Sequence, residues 1–499
     1  MSMSKEVQSD AIKLNHTDNV AVVLNNITKG TEIFGIISAE AVPAGHKIAL
    51  GLINKGNDII KYGKSIGKAT SSILPGQHVH VHNIKTNLSG IESYEYMPVF
   101  PQITIPVNLP DTFMGYRRKD GKVGIRNEIW IINTVGCVNR IAERVSREAN
   151  RAINNDIIDG VYTFVHPYGC SQLGEDHIFT QQILKNLVEH PNAAGVLVLG
   201  LGCENNLISE FQKLLSTKDD EKVKFLNAQD CEDEVEDCLK IINQLVKYAS
   251  LNKREPIPVN ELIVGLKCGA SDGLSGITAN ALTGDLSDAI IAKGGSCVLT
   301  EVPEMFGAET LLMNRCKDEA VFNKTVSLIN DFKEYFISHN QEIYENPSPG
   351  NKEGGITTLE EKSLGCIQKG GESKVVDVLN YGETVKHAGL NLLKGPGNDI
   401  VAVTNLAAAG AHMVLFTTGR GTPLGGPVPT VKISSNTALA EYKKNWIDFD
   451  AGILVNGADR EELTSEFYNY IIKVASGSLT KNEVHDYREI AIFKDGVTL

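Results

Sequence analysis

Apolar strand-like runs alternate with amphipathic helical segments from residue 128 onward, and this alternation constrains the fold more than any other feature. It begins with "EIWIINTV" before "VNRIAERVSREANRA", then "GVYTFV" before "HIFTQQILKNLVEH" and "GVLVLGL" before "LISEFQKLL". Continuous β-branched runs followed by helices are typical of parallel strands that are covered on both faces. The alternation resumes at "ELIVGL", "SCVLTEV" and "HMVLFT", so we predict two α/β units with parallel sheets.

The chain before this alternation has a different pattern. Residues 15–90 contain short strand-like runs separated by Gly and Pro, which predicts a small all-β unit. Four prolines in "MPVFPQITIPVNLP" indicate an extended linker, and "LNKREPIPVN" marks a second boundary. We therefore predict an α/β multidomain chain with an all-β domain at 1–95, a linker at 96–112, a middle α/β domain at 113–255 and a C-terminal α/β domain at 256–499.

Composition excludes several classes of partner. Lys and Arg number 48 against 61 Asp and Glu, and the formal net charge of −13 argues against nucleic acid or an acidic membrane surface. No apolar stretch is long enough to cross a bilayer, and "MSMSKEVQSDAIK" lacks the apolar core of a secretory signal. Nine cysteines are too few for a disulfide scaffold and odd in number, so we expect reduced thiols in a cytoplasmic protein.

Three predicted strands each end in a Gly-Cys pair, at Cys137, Cys170 and Cys203, with 33 positions between successive cysteines. If the strands share one parallel sheet, the thiols lie at its carboxyl edge, where open α/β sheets bind ligands. Each cysteine also precedes a helix, whose amino terminus favours thiolate over thiol. We predict that the three thiolates bind iron; the alternative for each is a small, buried apolar side chain.

The stretch "HPYGCSQLGEDH" leaves a second alternative open for Cys170. His166 and His177 flank it, and a thiol nucleophile needs an activating base within hydrogen-bond reach. Nothing comparable adjoins Cys137 or Cys203, so one mechanism for all three favours a metal. Two cysteines in "KCGASDG" and "LGCIQK", and one or two acids of "TEVPEMFGAE", are further candidate ligands.

The segment "GQHVHVHN" places three histidines, His78, His80 and His82, at every second position. In a strand they share one face, where imidazoles can bind a divalent cation or move protons near neutral pH. His46 in "AGHKIAL" is a possible fourth member. The alternative is an ordinary half-buried strand with its polar residues in solvent.

Glycine-rich and charged segments suggest where an acidic substrate could bind. Residues 345–365 are predicted to form a long loop, which contains Lys352, and "TTGRGTPLGG" carries Arg420 after an apolar run. Neither "KGPGND" nor "TTGRGTPLGG" matches a dinucleotide fingerprint, and no P-loop motif occurs in the sequence, so NAD and ATP are rejected as cofactors.

Several long motifs resemble the altronate/galactarate dehydratase family, which also contains a sulfolactate sulfo-lyase. The resemblance covers nearly the whole chain after about residue 12 and rests on "HVHVHN", "GVYTFVHPYGCSQLGEDH", "VLVLGLGCENN", "CGASDGLSGITAN", "TEVPEMFGAE", "YENPSPGNKEGGITTLEEKSLGC" and "FTTGRGTP". It implies dehydration of D-altronate to 2-dehydro-3-deoxy-D-gluconate in hexuronate catabolism, with Fe²⁺ or Mn²⁺. It also implies a β-clip N-terminal domain, a middle domain that forms a homodimer, and a Rossmann-like C-terminal domain.

Combining these observations gives a hypothesis for the site. Dehydration of a small sugar acid needs its carboxylate neutralised, a base at C2 and an acid for the departing hydroxyl. We expect the three thiols to hold iron as a single ion or an iron–sulfur cluster, with the nearby base among His166 and His177. Arg420 or Lys352 would bind the substrate carboxylate. The β domain would close the site with His46, His80 and His82.

Four alternatives to this activity remain at the level of sequence. Two are reactions on a related acid, galactarate or sulfolactate. The third is a non-catalytic sugar-acid sensor, although neither a helix-turn-helix nor a basic stripe supports a DNA-reading version of it. The fourth is a thiol transferase that uses Cys170.

Overall fold

Sheet direction divides the chain into three segments in the computed structural model, which describes residues 6–8, 10–153, 157–217 and 219–499. The N-terminal segment contains antiparallel strands, whereas the middle and C-terminal segments each contain a parallel sheet flanked by helices. The predicted mixed α/β class with two parallel sheets is therefore confirmed. None of the helices in the described ranges has the length and apolar character needed to cross a membrane.

The N-terminal segment forms a five-stranded sheet in the order β1-β2-β3-β6-β9, a three-stranded sheet β10-β8-β7 and a hairpin β4-β5. Its strands are β1 (Glu6–Gln8), β2 (Ala11–Lys13), β3 (Val20–Val23), β4 (Glu32–Ile33), β5 (Ile36–Ile37), β6 (Lys47–Ala49), β7 (Asp58–Lys61), β8 (Lys64–Ala69), β9 (His78–Val79) and β10 (Ile84–Lys85). Its core is continuous with that of the C-terminal segment, since Ile59 and Val79 share a cluster with Leu286 and Phe306.

The predicted histidine strand is shorter than the sequence pattern suggests. β9 ends at Val79, and His80 to His82 lie in a turn. In that turn the His80 N–H donates to Asn83 Oδ1 at 3.0 Å, and the Asn83 N–H donates to the His80 carbonyl at 2.9 Å. The asparagine supplies local hydrogen bonds that compete with a strand ladder, so the strand stops there.

Residues 86–111 lie between β10 and the next strand, and this described stretch contains neither helix nor strand. Tyr94 and Tyr96 attach it to the C-terminal segment, where their hydroxyls donate to Glu309 Oε1 at 2.6 Å and to the Cys316 carbonyl at 2.7 Å. A small antiparallel sheet follows, in which β11 (Thr112–Arg117) pairs with β12 (Val123–Gly124) and β17 (Glu255–Pro258). Two prolines are tolerated in β17 because it is an edge strand.

The middle segment is a four-stranded parallel sheet in the order β14-β13-β15-β16. Ile129 and Ile131 of its first strand face one core, while Trp130 and Ile132 face another, so apolar residues fill both sides. The elements are β13 (Glu128–Asn133), α1 (Asn139–Ala152), β14 (Val161–Thr163), α2 (Gly174–Val188), β15 (Ala193–Gly200), α3 (Ile208–Leu214), β16 (Val223–Asn227) and α4 (Glu234–Ala249).

The C-terminal segment contains a seven-stranded parallel sheet in the order β20-β21-β19-β18-β22-β23-β24. The strands are β18 (Ile263–Cys268), β19 (Ser296–Leu299), β20 (Val375–Leu379), β21 (Gly389–Leu393), β22 (Met413–Thr418), β23 (Thr430–Ser434) and β24 (Phe449–Asp450). The helices are α5 (Ala279–Ala292), α6 (Glu309–Met313), α7 (Glu319–Ser338), α8 (Pro349–Glu353), α9 (Leu359–Cys366), α10 (Asp399–Ala408), α11 (Thr437–Tyr442), α12 (Arg460–Ala475) and α13 (Lys481–Val484).

This strand order creates a switch point beside β18. The chain continues from β18 to β19 on one side of it and later returns to β22 on the other. The loops that follow β18 and β22 meet at this point, where the Gly419 N–H donates to the Ala270 carbonyl at 3.1 Å, and this is the position where open α/β sheets bind ligands.

The prediction of one long loop over residues 345–365 is wrong, because α8 and α9 form within it. Ser348 forms a capping box with Asn351, and Pro349 occupies the first helical position of α8. Thr358 caps α9 by accepting from the Glu361 N–H. Both helices are short and their caps are local, so the high content of Gly and Pro in the segment obscured them.

Candidate functional site

The N-terminal segment meets the C-terminal segment through main-chain contacts at Gly45. Gly45 has φ +82°, and a β-carbon on either Gly273 or Gly355 would overlap with its carbonyl oxygen. The Gly273 N–H in turn donates to the Gly354 carbonyl at 2.7 Å. Glycine is required where backbones approach this closely, so the "AGH" turn docks onto the loop that follows β18 and places His46 at the switch point.

His46, Lys352 and Arg420, predicted separately from the sequence, are brought together at this position. His46 Nε2 lies 3.0 Å from the Glu353 carbonyl oxygen, at the end of the helix that also carries Lys352. The exposed Arg420 guanidinium donates to Glu353 Oε2 at 2.6 Å and to the Gly350 carbonyl at 2.9 Å. A guanidinium and an imidazole thus converge on Glu353, the residue that follows Lys352 on this helix.

Four histidines of the N-terminal segment cluster at this switch point. The ring centroid of His46 lies 5.1 Å from that of His78 and 4.7 Å from that of His80, and His82 lies 5.6 Å from His78 on the exposed side. His46 Nδ1 and His78 Nε2 are 3.0 Å apart. Ring nitrogens of His46, His78 and His80, one from each, all lie within 4.8 Å of one another, a spacing suited to a shared metal ion.

The lowered pKa values of His46, His78 and His80 favour the neutral imidazole, which carries a lone pair on one ring nitrogen. Because a carbonyl accepts but cannot donate, the proton of His46 is on Nε2, and its Nδ1 lone pair faces His78. Burial and the neighbouring imidazoles lower the pKa of His78 to about 3, and burial and Lys47 lower the pKa of His80 to about 4. His80 Nδ1 is buried and has no hydrogen-bond partner among the described residues.

A buried charge network under the cluster was missed by the sequence analysis. Glu361 Oε2 lies 2.9 Å from Lys47 Nζ, and its Oε1 lies 2.8 Å from Lys61 Nζ. Burial lowers the pKa of Lys47 to about 8 against the pull of Glu361, and the two ammonium groups hold the pKa of Glu361 well below its usual range. A lysine inside the apolar run "KIAL" was the available signal, because a buried lysine requires a partner.

The three predicted iron ligands lie in the middle segment. Cys137, Cys170 and Cys203 follow β13, β14 and β15, which are neighbours in one parallel sheet, and all three are exposed. Hydrogen bonds connect their loops: the Gly136 N–H donates to the Tyr168 carbonyl at 2.8 Å, and the Ser171 N–H to Asn205 Oδ1 at 2.8 Å.

These thiols do not approach as closely as the histidines. Among the described residues, two groups of three have ligand atoms within 4.8 Å of one another, and neither contains the exposed cysteines. The groups are His46, His78, His80 and Cys268, Glu304, Cys366. Iron ligation by Cys137, Cys170 and Cys203 therefore stays a prediction.

The two histidines proposed as bases near Cys170 have different surroundings. His166 is buried, its Nε2 is 2.9 Å from the Asn133 carbonyl and its Nδ1 accepts from the Tyr168 N–H at 3.2 Å. Both nitrogens are thus occupied by backbone, and His166 has no free lone pair for proton transfer in this structure. His177 is partly buried on α2, and its Nδ1 has no partner among the described residues.

Comparison with protein families and known proteins agrees with this architecture. Residues 9–87 match the altronate/galactarate dehydratase SAF domain, 115–250 the second domain of D-galactarate dehydratase/altronate hydrolase, and 259–498 the C-terminal domain of D-galactarate/altronate dehydratase.

Three relatives extend over nearly the full chain. Altronate dehydratase of Escherichia coli is 55% identical over 98% of this chain and 99% of its own length, and that of Bacillus subtilis is 54% identical over the same shares. Galactarate dehydratase (L-threo-forming) of Escherichia coli is 33% identical over 93% of this chain and 92% of its own. The chain therefore belongs to the altronate/galactarate dehydratase family.

Proposed function

We propose that the chain eliminates water from D-altronate to give 2-dehydro-3-deoxy-D-gluconate, a step of hexuronate catabolism. The observation that carries the reaction class is the meeting of the histidine cluster with Arg420 at the switch point. The substrate follows from identity, which is 54–55% to two altronate dehydratases and 33% to a galactarate dehydratase.

The carboxylate of the substrate is assigned to Arg420 and Lys352. The guanidinium already binds the Glu353 carboxylate, and its side chain is 44% exposed, so a substrate carboxylate can take the place of Glu353. A planar guanidinium pairs with a carboxylate through two parallel hydrogen bonds. Neutralising the carboxylate makes the C2 proton easier to remove.

The residues His46, His78 and His80 fit a divalent cation, ferrous iron or manganese. Their imidazoles favour the neutral form, and the Glu353 carbonyl orients His46, as outer partners of metal ligands do. His80 Nδ1 is buried without a hydrogen-bond partner among the described residues, which is consistent with a metal ion bound at this nitrogen. When bound, the ion would supply Lewis-acid stabilisation of negative charge on the substrate. We assign His82, which is exposed beside the cluster, as the base that accepts the C2 proton of the substrate.

Iron binding by Cys137, Cys170 and Cys203, as a single ion or an iron–sulfur cluster, is a separate proposal for the middle segment. The support is that three exposed thiols follow three adjacent parallel strands on hydrogen-bonded loops. Thiolates at such strand ends precede helices and are suited to iron.

Two finer structural assignments are also proposals. The parallel seven-stranded sheet with its switch point supports a Rossmann-like C-terminal domain, and the short antiparallel strands of residues 9–87 support a β-clip.

A cytoplasmic homodimer built on the middle segment is a further proposal. It is supported by exposed apolar side chains on that segment, including Leu173, Ile178 and Leu207. Replacing Leu173 and Ile178 by Glu is expected to give a monomer in light scattering, and an unchanged mass would contradict this interface.

The activity is tested by incubating the reduced protein with Fe²⁺ and D-altronate under anaerobic conditions and measuring the 2-keto acid product. Galactarate and sulfolactate are assayed in parallel. We expect turnover of altronate and little of the other two. Turnover of galactarate in preference to altronate would overturn the substrate assignment, and binding of sugar acids without any product would indicate a sensor.

A further inference from the structure

Two cysteines that are 98 positions apart meet at the buried carboxyl end of the seven-stranded sheet. Cys268 is the last residue of β18, Cys366 is the last residue of α9, and their Sγ atoms are 3.2 Å apart. Glu304, in the turn after β19, places Oε2 3.2 Å from Cys268 Sγ and 3.1 Å from Cys366 Sγ. The three residues are only 1%, 4% and 4% exposed, so three donor atoms from three elements converge in the protein interior.

We propose that Cys268, Glu304 and Cys366 bind a second divalent transition-metal ion, distinct from any ion at the histidine cluster. Two thiolates and one carboxylate suit Zn²⁺ or Fe²⁺. A tetrahedral ion with metal–sulfur bonds of about 2.3 Å separates its sulfur ligands by about 3.8 Å. The sulfurs at 3.2 Å therefore need to part by only about half an ångström. A disulfide would require them to approach by more than about 1 Å.

The charges around the site permit a dication to replace the two thiol protons. Lys362 Nζ lies 2.9 Å from Glu304 Oε1, whereas both thiols contact the other carboxylate oxygen, Oε2. Binding a dication releases two thiol protons, so the local charge is unchanged. Around the two thiols three ammonium groups already match three carboxylates, one of which is the ligand Glu304: Lys267, Lys362 and Lys369 against Glu301, Glu304 and Asp399.

Without a cation the same residues form a weaker arrangement. The pKa of the Cys366 thiol is raised, first by its contact with Cys268 and then by burial, which favours the protonated form of Cys366. Both thiols can then donate only weak hydrogen bonds to Glu304. A dication converts these contacts into metal–ligand bonds and satisfies the carboxylate more fully.

The position of the site indicates a structural role. α9 carries Glu361, which binds Lys47 and Lys61 of the N-terminal segment, and the same helix ends at Cys366. A metal bound here would fix that helix to the ends of β18 and the turn after β19. It would thereby hold the surface on which the histidine cluster docks.

The test uses cobalt(II) as the probe and the full-length variant C137S/C170S/C203S as the background, so that the exposed thiols cannot contribute. We expect this variant, stripped and reloaded anaerobically, to show a near-ultraviolet sulfur-to-cobalt charge-transfer band. Adding C366S should abolish the band. Adding C316S should not, because Cys316 is equally buried but bonds to Thr325 and belongs to neither ligand group found among the described residues.

Three results would overturn the proposal. One is the absence of a thiolate–cobalt band in the background variant, which needs no substitution at the site itself. Another is a band of equal strength after C366S. The third is a disulfide between Cys268 and Cys366. It would be detected in the anaerobic protein as a mass lower by two hydrogens per chain, with the two cysteines joined in one peptide. His78→Ala should leave the band unchanged, which separates this site from the proposed catalytic cluster.

Discussion

Glu361 Oε2 lies 2.9 Å from Lys47 Nζ, and the two side chains are 1% and 0% exposed. This buried ion pair crosses from the C-terminal segment to the N-terminal segment. Lys61 binds the other carboxylate oxygen at 2.8 Å, so one carboxylate compensates two buried ammonium groups. The pairing places the His46 turn over the switch point.

The first prediction concerns this pair. Glu361→Gln leaves two ammonium groups buried without a counter-charge, a defect that costs about 3–5 kcal/mol in the free energy of unfolding. Urea denaturation should report this loss, and proteolysis should release the N-terminal segment faster. Glu143→Gln, which breaks the exposed pair with Arg140, should change stability by less than about 0.5 kcal/mol. Equal stability of the two variants would contradict the assigned role.

A second prediction concerns the histidine cluster. His78→Ala removes a nitrogen 3.0 Å from His46 Nδ1. The affinity for Mn²⁺ should fall by at least about 10-fold, since loss of even an outer partner of a metal ligand has that effect. Titration followed by electron paramagnetic resonance measures it without turnover. His16→Ala, an exposed histidine outside the cluster, is the matched control, and equal Mn²⁺ affinity in both would refute the ligand set.

Arg420 provides a kinetic prediction. Arg420→Gln should lower kcat/KM for altronate by about 10- to 100-fold, because a hydrogen bond to a charged group contributes about 1.5–3 kcal/mol. Arg420→Lys keeps the charge but loses the planar pair of donors, so an intermediate value is expected. Melting temperatures should stay close to that of the parent, since the Glu353 pair is exposed. Full kcat/KM in both variants would remove Arg420 from the site.

The exposed thiols lead to a prediction about the iron content of the protein. The triple variant C137S/C170S/C203S should contain less iron than the parent, and should lose acid-labile sulfide if the thiols hold a cluster. Cys231→Ser is the control, because Cys231 lies in the same segment but outside the three Gly-Cys pairs. Wild-type iron content in the triple variant would exclude ligation by these thiols.

Stability at acid pH should depend on His412, where the middle and C-terminal segments meet. Burial lowers the pKa of His412 from 6.5 to about 4, and its Nδ1 accepts from the Ile263 N–H at 3.0 Å. The unfolded chain therefore binds a proton first as pH falls. The contribution of neutral His412 to the free energy of unfolding is complete above pH 6.5. It is lost as pH falls towards about 4, by up to about 3 kcal/mol.

His412→Asn supplies an amide oxygen in place of Nδ1 but does not titrate. Its unfolding free energy should fall less steeply between pH 6.5 and 4 than that of the parent. The nearby His190 is also buried with a lowered pKa and stays in both proteins, so part of the slope should remain. Identical slopes would contradict the assignment to His412.

Much of the fold was predictable because its signals are local. Continuous apolar runs such as "EIWIINTV" predicted parallel strands covered on both faces, and the structure confirms this with β13 buried along its whole length. The regular spacing of Gly-Cys pairs matched the length of one strand, turn and helix, and the three strands are neighbours in one sheet. The helices α8 and α9 were missed because short capped turns resemble loops in composition.

The site was predictable only in part. His46 and Arg420 were identified as candidates from their settings, but their meeting through Glu353 was not, since that residue is 307 positions from His46 and 67 from Arg420. His166 was proposed as a base near Cys170, yet backbone hydrogen bonds occupy both of its ring nitrogens. Hydrogen-bond partners depend on tertiary contacts, which spacing along the chain does not encode.

By itself the sequence determined the parallel α/β segments and the strand ends that carry cysteine, because side-chain periodicity and turn chemistry act over a few residues. The tertiary structure alone decided that Gly45 packs against Gly273, that Glu361 binds Lys47, and that Cys268 meets Cys366. These contacts join residues that are 98 to 314 positions apart in the chain. They form only when whole helices and strands pack against one another.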